Sequence, residues 1–138
     1  MDLRKAFALI EAALAEGRQR NAAPLSVMVL DAGGNVVACA REDGAGIARL
    51  SLAYGKAWGS LGLGFGSRTL SQRVDTSPPF FAAAASLVEG RLLPAPGGVL
   101  VLEGARLLGA IGVSGDTGDT DEACALVAIT ALGLDSKV

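Results

Sequence analysis

Two apolar stretches, each doubled back about a turn signal, constrain this chain more than any other feature. LSVMVLD, from Leu25 to Asp31, is rich in strand formers; DAGGN then supplies turn residues, and NVVACARED returns. Residues from about 24 to 42 therefore read as a β-hairpin. GVLVL, EGAR and LLGAIGVS repeat the arrangement between Gly98 and Ser114. Both strands of the first ribbon are apolar on both faces, which predicts a sheet covered on each side.

The segments between and around the ribbons carry a helical period. Leu3, Phe7, Ile10 and Leu14 share one face of a first helix that ends near Gly17. From Ile47 onward, Ile47, Leu50, Tyr54, Trp58 and Leu61 form a bulky stripe. Ala48, Leu52, Gly55, Gly59 and Gly62 form a small-residue stripe beside it, predicting a helix with two contact faces. GLGFG follows a helix rather than a strand, so it reads as a connection and not a dinucleotide fingerprint. SRTLSQRV predicts a short helix whose polar face carries Arg68, Gln72 and Arg73 into solvent. PPFFAAAASLVEG predicts another, opened by prolines and closed at Gly90. The order is α-β-β-α-α-α-β-β-α, with no repeat or long linker. Antiparallel hairpins interrupted by helices argue for a single α+β domain over residues 1–138.

Composition narrows the function. At 138 residues and 51% hydrophobic, the chain can bury a core of its own. A net charge of -2 and 4% aromatic content argue against a nucleic-acid partner, which needs basic patches or stacking platforms. No stretch is long and apolar enough for a membrane span, and DLRKAF lacks a signal-peptide core, so a cytoplasmic setting is expected. Cys39 and Cys124 sit in apolar surroundings and are expected to be buried thiols. The chain has no histidine, which excludes Ser-His-Asp and Cys-His catalysis and every His-containing zinc site.

GAIGVSGDTGDTDEACA, from Gly109 to Ala125, is the most informative stretch. A phosphate cradle there would be opposed by Asp116, Asp119, Asp121 and Glu122. The calcium-loop spacing is also absent, and no metal is expected. Asp119 followed by Glu122 has capping-box spacing, which leaves helix capping or a ligand-binding wall as the open alternatives. ACALVAITAL is apolar on almost every side, so the final helix must be covered twice. In a chain this small the second cover is expected to be another subunit, making a homo-oligomer.

SVMVLDAGGNVVACAREDGA, YGKAW, GGVLVLEGARLLGAIGVSG and DTGDTDEACA resemble, in the same order, the GlcG/HbpS-like (DUF336) family, and the match covers nearly the whole chain. The resemblance implies a profilin-like five-stranded antiparallel sheet with helices on both faces, assembled into oligomers. It also implies a small-molecule ligand, haem in some members. Glu42 stands where a methionine is frequent, Asp116 replaces a common glycine, and GLGFGSRTLSQR is unusual. Without imidazole, the nominal iron ligands for a haem cofactor are Tyr54, Cys39, Cys124, Met1 and Met28.

Carried over position by position, the family's cleft selects Arg41, Ser114, Gly115 and Thr117 as ligand-binding residues. It selects Lys56, Asp43, Asp121 and Glu122 as the acid–base set. Lys56 also stands out on its own, as a lone cation on a small and apolar helix; its alternative role is a salt bridge with Asp43 or Glu122. Three functions remain: a small-molecule-binding module, a cofactor-independent lyase, isomerase or tautomerase built on Lys56 and a carboxylate, and a structural oligomer without chemistry.

Overall fold

Both ribbons form as the turn signals require. In a computed structural model that describes residues 1–138, the first pairs β1 (Ser26–Asp31) with β2 (Val36–Arg41). The Asp31 carboxylate accepts from the Gly33 and Asn35 amides, and Gly34, at φ 81°, takes the left-handed conformation that closes the turn. The second ribbon pairs β3 (Gly98–Glu103) with β4 (Arg106–Ser114). The ribbons join side by side through β1 and β4, antiparallel from Ser26↔Ser114 to Asp31↔Gly109. A short β5 (Asp135–Lys137) adds to β3, giving a five-stranded sheet in the order β2-β1-β4-β3-β5. β5 is polar and three residues long, so it carries no periodic signal.

Side-chain alternation divides the sheet into two apolar faces. Val27, Val29, Val99, Val101, Ile111 and Val113 point toward α1 (Leu3–Gln19) and α5 (Gly118–Ala131). Met28, Leu30, Leu100 and Ala110 point toward α2 (Arg49–Leu63), meeting Ala53 and Ala57. Helices therefore cover both faces, in the α+β class. β2 is the exception to the expectation of two covered faces: it is an edge strand, and it leaves Val36 exposed and also Cys39, which is not a buried thiol. Cys124 is buried as expected, and desolvation pushes its thiol up to about 11.

Two helix faces differ from the expected ones. α1 turns Ala6, Leu9, Ile10, Ala13 and Gly17 inward, while Leu3 and Phe7 remain more than half exposed. Small residues let α1 approach α5 closely, where Cys124, Ala125 and Ala128 are also small. That contact accounts for part of the apolar circumference of α5: a second cover beside the sheet is α1 of the same chain, while Val127 stays exposed. On α2, Ile47 precedes the helix and is fully in solvent, whereas Leu50, Tyr54, Trp58 and Leu61 pack on the sheet. Gly55 and Gly59 do serve close approach, with the Leu92–Leu93 segment against them. α3 (Ser67–Val74) and α4 (Pro78–Leu87) follow, joined to the rest through a separate cluster of Leu70, Phe81 and Leu92. No helix is long and apolar enough to cross a membrane.

The spacing between α2 and the sheet depends on glycine. A Cβ at Gly112 would strike the Ala53 carbonyl, and one at Gly98 the Lys56 carbonyl. Both obstacles are backbone, so the helix would have to lift. We expect Gly112→Ala to cost about 1–3 kcal/mol, read as a lower urea midpoint with an unchanged slope.

Candidate functional site

The acidic bend begins where β4 ends. Asp116 interrupts the chain's descent from the sheet, and its carboxylate accepts from the Ala23 amide at 2.7 Å and from the Thr117 amide. These backbone donors hold its pKa below the ordinary carboxylate range. Thr117, in extended conformation, caps α5 by accepting from the Thr120 amide at 3.2 Å. The expected Asp119–Glu122 capping box is therefore not formed. Asp119 already lies in the first helical turn, and both carboxylates are drawn outward by Arg68. Arg68 Nε donates to Glu122 Oε1 at 2.6 Å, so Arg68 is not the solvated residue that the period of α3 suggested.

Lys56 and Asp121 occupy the centre. The Lys56 ammonium donates to Asp121 Oδ2 at 2.8 Å and to the Val113 carbonyl at 2.9 Å. Side-chain exposure is 6% for Lys56 and 1% for Asp121, so this is a buried ion pair and not a surface one. Its acidic partner is Asp121, where Asp43 and Glu122 were the expected salt-bridge partners. Asp121 Oδ1 also accepts from the Asp116 amide at 3.0 Å, tying the bend to the same carboxylate. Burial lowers the Lys56 pKa; Asp121 opposes this, and the nearby Arg49 charge adds to it. Gly97, at φ 125°, is required beside the pair, since a Cβ would meet the Val113 carbonyl and the ammonium itself.

The remaining site residues divide into two places. Ser114 is fully buried and Gly115 closes on the Pro24 carbonyl, so both lie inside the bend. Arg41 and Asp43 lie at the exposed end of the first ribbon, bordering a shallow depression with Arg18, Pro24 and Glu42. Asp43 makes no ion pair and does not reach Lys56. Glu42, the departure from the family's methionine, accepts from the Leu25 amide at 2.7 Å and from Arg18 at 2.8 Å.

Strand register links these two places. Arg41 pairs with Ser26, and Ser26 with Ser114, so the three lie in one row across β2, β1 and β4. Alternation from Met28 and Gly112 puts the row on the α2 face, at the level where α2 begins. There Arg49 donates to Ser114 Oγ at a long 3.4 Å and forms no ion pair. Arg41 donates to the Ala45 carbonyl at 2.6 Å and likewise lacks a carboxylate. Ser26 is fully buried, and its Oγ has no hydrogen-bond partner. Neither Ser26 nor Arg49 was singled out from the sequence; only the register, invisible without pairing partners, aligns them with Arg41 and Ser114.

The nominal haem ligands fit less well. Cys124 and Met28 are embedded in the two cores, Cys39 is on the outer edge strand, and Tyr54 packs beneath α2. The Met1 amino group donates to the Leu108 carbonyl. None of the five lines a cavity of the protomer, and only Cys39 is exposed among the two thiols. No cluster of three or more Cys, Asp or Glu side chains is disposed to hold a metal ion.

A five-stranded antiparallel sheet clasped by α1 and α5 on one face and α2 on the other, with a lysine–aspartate pair at its end, defines a profilin-like α+β domain. The chain belongs to the HbpS-like family, described as haem degrading protein HbpS-like, which matches residues 1–130. No curated protein matches it in sequence. Among solved structures it is similar to a PduOC–haem complex, at 24% identity and TM-score 0.89, covering 100% of this chain and 99% of that one. It is similar to the Klebsiella pneumoniae DUF336 protein ORFY, at 24% identity and TM-score 0.88, covering 96% and 90%. A double mutant of Streptomyces reticuli HbpS matches at 27% identity and TM-score 0.83, covering 96% and 87%.

The buried pair makes two measurable predictions. Lys56→Met strands the Asp121 charge and should cost about 3–5 kcal/mol in chemical denaturation, whereas Lys56→Met with Asp121→Leu should recover most of that loss. By NMR, the Lys56 ammonium should titrate below free lysine, and lower still in Asp121→Asn. Because the unfolded chain then holds that proton more tightly, this group's contribution to stability rises with pH between its folded value and the ordinary 10.5.

Proposed function

We propose that the protein binds a small planar ligand through its carboxylates, at the corner formed by Arg41, Arg49, Ser26 and Ser114. The corner lies where β4 enters the 114–122 bend, two turns of α2 before Lys56. The observation that carries the reading is unmet polar capacity. Ser26 Oγ is buried without a partner, and neither Arg41, in register with Ser26, nor Arg49, against Ser114, has a carboxylate. Arginine's planar fork suits bidentate recognition of a carboxylate. Moving the Arg49 side chain sacrifices only one long hydrogen bond, so a ligand can recruit it.

In this reading Lys56 and Asp121 are positioning residues that hold the bend against the sheet. Acid–base chemistry by the same pair has less support, since each buried group is spent on the other. The similarity to a haem complex and the family's description favour a tetrapyrrole as the ligand class. With no imidazole in the chain, we assign recognition to the propionate groups.

Titration with haemin and with metal-free protoporphyrin IX tests this. We expect both to bind saturably with similar affinity, and Arg49→Gln to weaken both about tenfold, the loss of one charged hydrogen bond. Binding of haemin alone would replace carboxylate recognition by iron ligation, and binding of neither would remove the tetrapyrrole.

We further propose that the chain forms a homo-oligomer. Leu3 and Phe7 on the outer face of α1 are 54% and 52% exposed, and Arg4 and Glu11 flank them in the same shallow groove. An antiparallel pairing of two α1 helices would bury the apolar pair and oppose arginine to glutamate across a twofold axis. Light scattering should show an oligomer that Phe7→Glu dissociates; a monomeric parent protein would refute the assembly.

A further inference from the structure

At the far end of α2 lies an apolar cavity that the corner does not use. It has a volume of about 490 Å³ and is walled by Leu63, Phe65, Leu70, Phe80 and Phe81, with Arg73 on its rim. That volume is in the range of small-molecule sites, about 300–1,000 Å³. The cavity exists because α4 is propped over α3 by few side chains. Leu70, Phe81 and Leu92 form their own cluster, apart from both sheet cores, while Phe80 on the next position of α4 stays 55% exposed.

Charge gives the cavity its specificity. The Arg73 side chain is exposed, and its guanidinium stacks 3.9 Å from the centre of the Phe65 ring, at the edge of the apolar wall. The protein's ion pairs engage Arg18, Arg20, Arg68, Arg91 and Arg106, but not Arg73. No acidic side chain lines the cavity. Ser77, at the start of α4, lines it too and makes no capping hydrogen bond. An apolar chamber with an unpaired guanidinium and a free hydroxyl at its mouth, and with the Lys137 ammonium 4.9 Å from the centre of the same Phe65 ring, is complementary to a molecule with a hydrophobic body and one acidic group.

We propose that this cavity between α3 and α4 is a second binding site, selective for an amphipathic monocarboxylate. The site is independent of the corner at the start of α2, which is separated from it by the length of that helix, about 20 Å. The ligand's hydrocarbon or aromatic body fills the space between Phe65 and the α4 phenylalanines, and its carboxylate meets Arg73 and Ser77.

The test uses the full-length protein and 8-anilinonaphthalene-1-sulfonate as a fluorescent occupant. We expect saturable enhancement, displacement by decanoate, and displacement by decanol at least tenfold weaker. Arg73→Gln, a change at an exposed position, should weaken decanoate about tenfold and leave decanol unchanged. Phe80→Ala should weaken both. Equal competition by decanoate and decanol, or an Arg73→Gln variant that binds decanoate normally, would overturn the carboxylate site. Decanoate that acts only by dissociating an oligomer would show that another copy of the chain fills the cavity, and would overturn the proposal as well.

Discussion

The pairing of Lys56 with Asp121 is the constraint on which the rest of the molecule depends. Lys56 belongs to α2 on one face of the sheet, and Asp121 to α5 on the other. Their contact passes around the end of β4, so one buried ion pair clasps both helical layers to the strand between them. Removing two charges from water is expensive, and the pair is tolerable only because other groups complete its hydrogen bonds. The Val113 carbonyl accepts a hydrogen bond from the lysine ammonium, and the Asp116 amide donates to the second oxygen of the Asp121 carboxylate. Gly97 and Gly98 are the steric counterpart, since side chains there would occupy the volume of the ammonium and of its helix backbone.

This arrangement reverses the electrostatic character that the linear sequence suggests for the bend. Four carboxylates in seven residues look like an anionic surface, yet each has a partner: Asp116 has backbone amides, Asp119 and Glu122 share Arg68, and Asp121 has Lys56. What stays unspent nearby is the guanidinium groups of Arg41 and Arg49, which no carboxylate meets, together with the buried Ser26 hydroxyl and one buried carboxylate oxygen, Glu122 Oε2. A folded chain neutralises its conspicuous charges first, and selectivity then belongs to the charges left over. Arg73 repeats the pattern at the other end of α2, where an aromatic ring holds a guanidinium that no carboxylate claims.

Most of the architecture was legible in the sequence because hairpins are local. Turn residues and apolar runs fixed both ribbons, and prolines and glycines bounded α3 and α4. Lys56 was legible too, since a lone cation among glycine and alanine stands out on any helical projection. Its partner was not, because 65 residues separate Lys56 from Asp121 and two other acids, Asp43 and Glu122, compete for the assignment. The inward face of α1 was misjudged for a related reason. Hydrophobic periodicity weights bulk, so Leu3 and Phe7 outscored the alanines that fit against α5. The same bias hid that the small-residue face of α1 supplies part of the cover of α5. β5 and the row of Arg41, Ser26 and Ser114 depend on strand order and register, which no local pattern encodes.

The absence of histidine bears on how a chain of this family can hold a tetrapyrrole at all. Axial ligation would concentrate binding energy on one coordinate bond and make affinity depend on the metal. Propionate recognition distributes it over guanidinium and hydroxyl donors, and leaves the metal without influence. The second arrangement demands cations that the fold has not already neutralised; of the twelve Lys and Arg, Arg4, Arg41, Arg49, Arg73 and Lys137 are in no ion pair. Arg41 is in register with the unpartnered Ser26, and Arg49 reaches Ser114 in the same row, an arrangement that stability alone does not explain. A ligand carboxylate would complete that constellation, just as Asp121 completes Lys56.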